Sequence, residues 1–450
     1  MSTSKPDADS GLIRAIGVPR LTANIVNATI GASIFAMPAL MAAGLGAAAP
    51  VAFVICAIVM ALLVTCFALA GSRVSLTGGL YAYAEVAFGR YVGFLAGLLY
   101  AVTAVLGVAA VVNVFADNLI AILPFLSGDL GRAGISLVVF AALAATNIVG
   151  VRTGANAVAA ITITKLIPLV IFVAVGVFFI KPGALAWPGL PGSQALGDAV
   201  LLLLFAFVGI EVALMPSGEV LNPSRTVPRA IYTALAITTA MYLLIQAVAQ
   251  GTLGPALADA SGAPLATAAA TFLGTAGRVL LVAGAAVSSF GFVATDILSS
   301  PRLLFAFGRD GILPAAVARV HSRFRTPHVA IAVYAAIGFL FSLTSSFEAL
   351  AVMSNIAVLV LYLICCAAAW RLIRRDVRAD GTPFSFRGAI VFPLLSGAVV
   401  LWILTQSLLS TTSVGADARS GLWITAAVCA AGTLLYLVRQ AIGARRNSVE

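Results

Sequence analysis

Long apolar stretches dominate this sequence, and a helix needs about 20 apolar residues to cross a lipid bilayer. Twelve such stretches, mostly joined by short loops, are predicted at 18–42, 47–71, 91–123, 133–150, 155–180, 197–218, 229–252, 279–304, 328–346, 347–370, 389–410 and 421–438. Of the 450 residues, 62% are apolar and only 9% are charged, whereas about 25% are charged in a soluble domain. This composition excludes a soluble enzyme, a nucleic-acid binder and a disordered protein. The sequence therefore predicts an all-α membrane protein with 12 transmembrane helices in one membrane domain.

Positive charges are distributed unevenly between the two sides of the predicted membrane domain. With the N-terminus as side one, 21 lysines and arginines fall on that side and 4 on the other, while Lys165 lies within a span. Cytoplasmic loops carry such an excess, so both termini are predicted to be cytoplasmic. The surplus also suits contact with the anionic head groups of membrane lipids. Short loops and compact termini favour the inner (plasma) membrane of a bacterium.

The sequence contains no recognisable catalytic or metal-binding constellation. All five cysteines lie in apolar stretches without a CxxC spacing, as is typical of small buried hydrophobic residues. The two histidines, His321 and His328, belong to one basic loop. We therefore expect no enzymatic activity, no metal, no cofactor and no nucleic-acid partner.

Two predicted spans contain small, helix-weakening residues near the middle of the membrane. Span one includes Gly31 and Ser33, and span six, five spans later, includes Gly209. Interrupted helices at matching positions of two halves are typical of the substrate site of a transporter. Unwound backbone is tolerated at that depth only where it lines a cavity or is buried in protein. The alternative is that these glycines only allow neighbouring helices to pack closely.

The residues around both interruptions resemble motifs of the amino acid–polyamine–organocation (APC) transporters. Gly31-Ala-Ser-Ile-Phe35 resembles a Gly-Ser/Ala-Gly-Ile-Phe motif of span one. Residues 205–211 and 218–231, which read Phe-Ala-Phe-Val-Gly-Ile-Glu and Gly-Glu-Val-Leu-Asn-Pro-Ser-Arg-Thr-Val-Pro-Arg-Ala-Ile, are similar to that family's most specific signature. Further similarities to its loops after spans two and eight follow at 78–83, 88–94, 309–314, 319–321 and 326–327.

This resemblance implies a fold of two inverted five-helix repeats, with discontinuous helices 1 and 6, plus two additional helices. The predicted parts are a cytoplasmic tail at 1–17, repeat one at 18–180, repeat two at 197–370, helices 11 and 12 at 389–438, and a cytoplasmic tail at 439–450. The resemblance also implies secondary active transport of an amino acid or a related amine. Proton-coupled uptake by alternating access is the main interpretation.

An amino-acid substrate brings a carboxylate and an ammonium into a site of low dielectric, where each charge needs a partner. Backbone N–H groups freed at the interruption of span one suit the carboxylate, because they form the positive end of a helix dipole. Carbonyl groups freed before each interruption suit the ammonium. By the family's pattern, the substrate-binding residues are Ile30, Gly31, Ala32, Ser33, Phe205, Val208 and Gly209.

Three side chains modify this predicted substrate site. The family usually has glycine where this chain has Ser33, whose side chain either narrows the gap beside the carboxylate or offers it a hydroxyl. Phe205 and Phe207 either close the site as an aromatic lid or pack in the protein core.

Lys165 lies within span five, where a charge is costly and so indicates a functional role. Its position resembles that of a lysine in many proton-coupled family members, which replaces the sodium ion of sodium-coupled relatives. An ammonium is a monovalent cation whose charge is lost on deprotonation. When protonated, it is expected to bridge the carbonyls near Thr29 and Ile30 to Ser288 or Ser289 of span eight. The alternative is a permanently charged lysine that pins span five to span one.

Two acidic residues within spans are further candidates for proton coupling. Glu211 follows the interruption at Gly209 by two residues, and it is either a protonated structural acid or part of the proton path. Asp296 lies seven residues after Ser289 and so shares its helix face. It either releases protons inward, attracts a cationic substrate, or is an acid at a helix end paired with a loop arginine.

Two other functions fit the same resemblance. The first is an exchanger that swaps two amino acids or amines, although such a cycle has no need of a titrating group at the cation position. The second is a nutrient sensor that binds but does not transport. The apolar residues around the interruptions favour a neutral or apolar amino acid, while Glu211 and Asp296 leave a cationic one open. The sequence does not indicate an oligomeric state.

Overall fold

A computed structural model describes most of the chain, namely residues 16–74, 79–149, 154–186, 189–211, 214, 220–260, 262–309, 312–378 and 382–447. Within these ranges the fold is helical, and the only β-type pairing is an isolated bridge between Ile16 and Val220. Most of the predicted N-terminal tail lies outside the described residues. The same holds for Gly218 and Glu219 of the span-six motif.

Fifteen α-helices lie in the described ranges. They are α1 (Val18–Thr29), α2 (Met37–Leu45), α3 (Ala49–Gly71), α4 (Leu80–Phe88), α5 (Arg90–Ile122), α6 (Asp129–Val149), α7 (Gly154–Gly176), α8 (Ser193–Phe207), α9 (Pro223–Leu253), α10 (Pro264–Ser299), α11 (Pro301–Arg309), α12 (His328–Thr344), α13 (Phe347–Arg374), α14 (Val391–Leu409) and α15 (Ser413–Asn447). Proline stands in the first turn of α1, α2, α3, α9 and α10, where its missing N–H leaves no helical hydrogen bond unmade.

Eight described helical stretches are long and apolar enough to cross a membrane, and these are Met37–Gly71, Arg90–Ala121, Asp129–Val149, Pro223–Leu257, Pro264–Arg309, Phe347–Arg374, Val391–Leu409 and Ser413–Gln440. Three shorter apolar helices, Lys165–Phe179, Ser193–Phe207 and His328–Thr344, coincide with predicted spans five, six and nine. A helix satisfies its own backbone in lipid, which favours this architecture for so apolar a chain. The chain is therefore a multi-pass membrane protein whose described residues are built from helices.

Three segments that the sequence predicted as loops contain helix. The predicted loop 72–90 holds α4, which is bracketed by Gly79 and Gly89 with φ of +55° and +95°. Helix α10 begins inside the predicted loop 253–278 and kinks at Gly274, where φ is +61°. Helix α11 occupies the start of the predicted loop 305–327. These helical pieces are too short or too polar to be recognised as spans by hydropathy, so the prediction missed them.

Both predicted interruptions are present and lie inside the helical bundle. Between α1 and α2 the chain forms a short 3₁₀ turn at Ser33–Phe35, and after α8 residues 208–211 form turns. Helix α9 packs against α1 and α3, while α8 packs against α2, α3 and α13. Helix α13 is the most buried of the long spans, and α15 is the least buried. The two interruptions are thus enclosed by packed helices.

Candidate functional site

The end of α1 provides free carbonyl groups inside the bundle, because the last four carbonyl groups of any helix lack intrahelical partners. The Val26 carbonyl still accepts the N–H of Ile30 at 2.8 Å, and the N–H of Gly31 turns back to the Thr29 carbonyl at 2.9 Å. The carbonyls of Asn27 and Ala28 are thereby left for contacts with other helices.

Lys165 contacts the first of these freed carbonyls. Its Nζ atom donates to the Asn27 oxygen at 2.6 Å, which links α7 to α1, and the lysine is 8% exposed. This carbonyl lies two residues before Thr29 and three before Ile30, the positions whose carbonyls were predicted. Part of the reason is that the Thr29 carbonyl already has partners, since it accepts from Gly31 and lies beside the Tyr242 hydroxyl.

Ser288 and Ser289 of α10 do not form the predicted bridge to Lys165 in this structure. Both serines are buried, and their hydroxyl groups have no hydrogen-bond partner among the described residues. Helix α10 nevertheless packs directly against α7, which carries Lys165. The structure therefore contains two buried, unpaired hydroxyl groups on a helix adjacent to the lysine's own.

Tyr242 of α9 connects the two interrupted helices. Its hydroxyl lies 3.0 Å from the Thr29 carbonyl at the end of α1 and 2.7 Å from the Ala206 carbonyl at the end of α8, and it can donate to either. The side chain is fully buried. Sequence reasoning missed this residue. It could have been noticed as a tyrosine within an apolar span. A buried phenol usually has a hydrogen-bond partner, so such a tyrosine indicates a polar contact inside the bundle.

Gly209 brings the interruption after α8 into direct contact with α1. Its φ is +113°, and a Cβ atom at this position would lie 2.6 Å from the Ala28 carbonyl oxygen. Only glycine permits both this backbone conformation and so close an approach. The two interruptions therefore meet at backbone level, which their glycine content alone did not establish.

Glu211 ties the interruption after α8 to α13. Its Oε2 atom accepts a hydrogen bond from the Gly209 N–H at 3.1 Å and another from the Tyr362 hydroxyl at 2.9 Å. The side chain is 3% exposed. This geometry matches the expected position of Glu211 beside the break, and it adds Tyr362 as a partner that the sequence did not indicate.

Asp296 has hydroxyl partners rather than an arginine. The Tyr334 hydroxyl donates to Oδ2, and the Ser300 hydroxyl donates to Oδ1 at 2.7 Å. Among the described residues, no arginine forms a salt bridge with this carboxyl group. The three ionisable residues of the spans thus have separate partners, since Lys165 contacts α1 and Glu211 contacts α13.

The predicted substrate-binding residues surround a set of unpaired backbone donors. Ile30, Ala32 and Ser33 are 1%, 1% and 4% exposed. The N–H of Gly31 is engaged with Thr29, but the N–H groups of Ala32 and Ser33 have no hydrogen-bond partner within the described part of the chain. These two donors can bind an anionic group, and the neighbouring Ile30 carbonyl, which accepts no hydrogen bond from the described residues, can bind a cationic group.

The two phenylalanines of α8 have different environments. Phe205 meets Phe347 of α13 edge to face, with ring centroids 5.7 Å apart, and is 8% exposed. Phe207 is fully buried and packs against the ring of Tyr242 at 5.2 Å. Phe207 is therefore a core residue in this structure, while Phe205 contacts α13.

A multi-pass bundle whose two interrupted helices meet at buried, partly unpaired backbone groups is typical of a secondary transporter. The chain matches the family model described as amino acid permease over residues 16–435. It belongs to this family, and the resemblance to APC transporters is confirmed.

Individual relatives are similar to the chain along nearly its whole length. The serine/threonine exchanger SteT of Bacillus subtilis (strain 168) is 28% identical over 413 residues, which cover 90% of this chain and 93% of the relative. A methylthioribose transporter of the same strain is 26% identical over 456 aligned residues, which cover 97% of this chain and 95% of the relative. An uncharacterized transporter of Mycobacterium tuberculosis (strain ATCC 25618 / H37Rv) is 30% identical over 456 aligned residues, which cover 99% of this chain and 95% of the relative.

Proposed function

We propose that this permease takes up a neutral amino acid by proton-coupled alternating access. The observation that carries the proposal is the pair of unpaired N–H groups at Ala32 and Ser33, next to the Ile30 carbonyl, which accepts no hydrogen bond from the described residues. An α-amino acid presents a carboxylate and an ammonium on adjacent atoms, and these backbone groups match that pair of opposite charges. The remaining predicted contacts come from Ile30 and from Phe205, Val208 and Gly209 at the second interruption.

The proposed topology has twelve spans and an inverted repeat. Helices α1 and α2 together form the interrupted first span, and α8 begins the interrupted sixth span. Repeat one then covers 18–180, repeat two covers 197–370, and the two additional helices lie at 389–438. The 21-to-4 charge distribution supports cytoplasmic termini in the plasma membrane of a bacterium.

The proposed coupling group is Lys165. Its buried ammonium holds α7 to the end of α1 through the Asn27 carbonyl. Deprotonation removes the positive charge from that contact and weakens it, so protonation controls whether α1 is held. Ser288, Ser289, Glu211 and Asp296 complete the proposed proton-coupling set. Asp296 is half-buried whereas Glu211 is 3% exposed, which makes Asp296 the more accessible candidate for a second proton site.

Amino-acid exchange is the second candidate function. It is favoured by the relative named as a serine/threonine exchanger, at 28% identity. In an exchanger, substrate on the opposite side drives transport, and a pH gradient does not. That relative's name also supports a neutral amino acid as substrate, in line with the apolar residues around the interruptions.

The first prediction separates these mechanisms. In proteoliposomes, uptake of a labelled neutral amino acid is expected to rise with an inward proton gradient and to be unaffected when choline replaces sodium. The reason is that a lysine ammonium takes the place of a sodium ion in the proposed cycle. Uptake that requires an internal amino acid and ignores the gradient would establish exchange, and a strict sodium requirement would contradict the role of Lys165.

The second prediction concerns Gly31. A Cβ atom built there meets only the Thr29 carbonyl oxygen, at an ordinary distance of 3.9 Å, so the fold has room for a β-carbon. We expect Gly31→Val to fold normally but to lose substrate binding, because its isopropyl group shields the donors at Ala32 and Ser33. Binding is measured by ligand-dependent thermal stabilisation of the purified variant. Gly44→Val, where a Cβ has nothing within 4 Å, is the matched control. Unchanged affinity in Gly31→Val would remove this segment from the substrate site.

A further inference from the structure

A cavity lies away from the interrupted helices, where α4, α5, α11 and α15 meet. Its volume is about 430 Å³. Glu85 of α4, Arg90 at the start of α5, Arg309 at the end of α11 and Arg439 near the end of α15 contribute to its walls. Because these helix ends line one cavity, they lie at the same end of the bundle. The cavity does not share a lining residue with the proposed substrate site.

Aromatic rings form a packed floor beneath the charged rim of this cavity. The ring of Phe94 stacks on Tyr436 with centroids 5.7 Å apart and an interplanar angle of 19°. It also meets Phe307 edge to face at 5.1 Å, and both phenylalanines are 5% exposed. A Cβ added at Gly432 would come within 3.2 Å of the Phe94 ring. The floor is therefore close-packed and holds α5, α11 and α15 in fixed relative positions.

The rim has an excess of positive charge. Three guanidinium groups and one carboxylate line the cavity, which leaves a formal charge of +2 on the lining side chains. Arg90 and Arg439 are exposed, and neither forms an ion pair with another described residue. Guanidinium groups match the geometry of phosphate oxygens and bind them through paired hydrogen bonds. The chemistry of the rim thus favours an anionic, phosphate-bearing ligand.

The apolar surface beside the cavity indicates where such a ligand comes from. On α15, Leu434, Leu437 and Val438 are 64%, 55% and 48% exposed. They flank Tyr436 and Arg439, which line the cavity. In a membrane protein, an exposed apolar helix face of this kind meets lipid acyl chains. A head group in the cavity can therefore remain attached to chains that lie along α15, whereas a free anion would gain nothing from this surface.

We propose that this cavity is a binding site for the head group of an anionic phospholipid. The phosphate contacts Arg90 and Arg439, and Glu85 accepts a hydrogen bond from a head-group hydroxyl such as those of phosphatidylglycerol. Basic pockets between transmembrane helices are known to bind anionic head groups in this way. The occupant joins α4, α5, α11 and α15, and its binding does not depend on which substrate the permease carries.

The test is lipid retention by the full-length protein, measured by native mass spectrometry after detergent purification. The probes are dioleoyl phosphatidylglycerol and dioleoyl phosphatidylcholine. We expect the wild type to retain the first in preference to the second. Arg439→Gln is expected to reduce this preference about fivefold, and Arg90→Gln with Arg439→Gln about 25-fold, since each basic residue contributes roughly a factor of five near an anionic membrane surface. The matched control is Arg302→Gln with Arg323→Gln, which removes two exposed arginines that do not line the cavity.

Each outcome decides for or against the site. Loss of preference in the cavity variants but not in the control supports it. Equal losses in both would reduce the effect to general surface charge and overturn the proposal, as would a wild type without any preference. Displacement of the lipid by free glycerol 3-phosphate at equal concentration would assign the cavity to a soluble anion instead. If the double variant aggregates on size-exclusion chromatography, the single variant Arg439→Gln decides between these outcomes, because that exposed side chain lies near the end of α15.

Discussion

Replacing Lys165 by alanine is expected to abolish accumulation of substrate against its gradient. The variant loses the contact between the lysine Nζ and the Asn27 carbonyl, which lie 2.6 Å apart in the structure. A charge-assisted hydrogen bond of this kind contributes roughly 1.5–3 kcal/mol, which corresponds to about a 10- to 150-fold shift between two conformations. The variant can still bind substrate, because the proposed substrate contacts come from other backbone groups. Concentrative uptake into proteoliposomes under a proton gradient measures the loss.

Two further variants define what Lys165 contributes. Lys165→Arg keeps a positive charge but is also expected to fail, since arginine does not lose its proton at accessible pH. Lys181→Ala removes the exposed lysine that follows α7, and it is expected to transport normally. Wild-type accumulation by Lys165→Ala would exclude this residue from coupling, and Asp296 and Glu211 would become the residues to replace next.

Replacing Gly209 by alanine is expected to disrupt the protein more severely than any other single methyl group added at the interruptions. The new Cβ would lie 2.6 Å from the Ala28 carbonyl oxygen, and the residue would keep a φ of +113°. A backbone conformation of this type costs roughly 1–3 kcal/mol for a residue with a side chain, and the collision adds to that cost. We expect a lower melting temperature in detergent together with loss of transport.

The control for this variant is Gly197→Ala in α8, the helix that precedes Gly209. A Cβ at Gly197 has no neighbour within 4 Å, and the residue lies inside α8, where alanine is the better helix former. This variant is expected to be at least as stable as the wild type. If Gly209→Ala melted and transported like the wild type, the close contact between the two interruptions would not exist in the functional protein.

Hydropathy and charge predicted the class of fold because the lipid bilayer imposes both patterns directly on the sequence. A helix in lipid must be apolar over its length, and cytoplasmic loops are rich in lysine and arginine. Both patterns can therefore be recognised from residues that are neighbours in the sequence. The two interruptions were likewise visible as local clusters of small residues at Gly31 and Gly209. Short helices such as α4 were missed because nine residues are too few to form the long apolar stretch by which a span is recognised.

The partners of the site residues could not be predicted, because they come from distant parts of the chain. Lys165 was expected at the carbonyls of Thr29 and Ile30, but which carbonyl is free depends on how α1 ends and on where Tyr242 stands. Tyr242 itself lies 213 residues from Thr29 in the sequence. Only the packing of α9 against α1 brings them together.

The position of Tyr242 has a consequence for how the two halves of the molecule depend on each other. A phenol has one proton, whereas this hydroxyl has two carbonyl neighbours, at Thr29 and at Ala206. The Tyr242 hydroxyl can therefore donate to only one of these two carbonyls at a time, and the Thr29 carbonyl accepts the Gly31 N–H in addition. A movement of the end of α1 away from α9 would leave Ala206 as the acceptor of the Tyr242 hydrogen bond. The opposite movement would allow Tyr242 to donate to Thr29 again. The two interrupted helices thus compete for a single hydroxyl proton, so that Tyr242 donates a hydrogen bond to only one of them at a time.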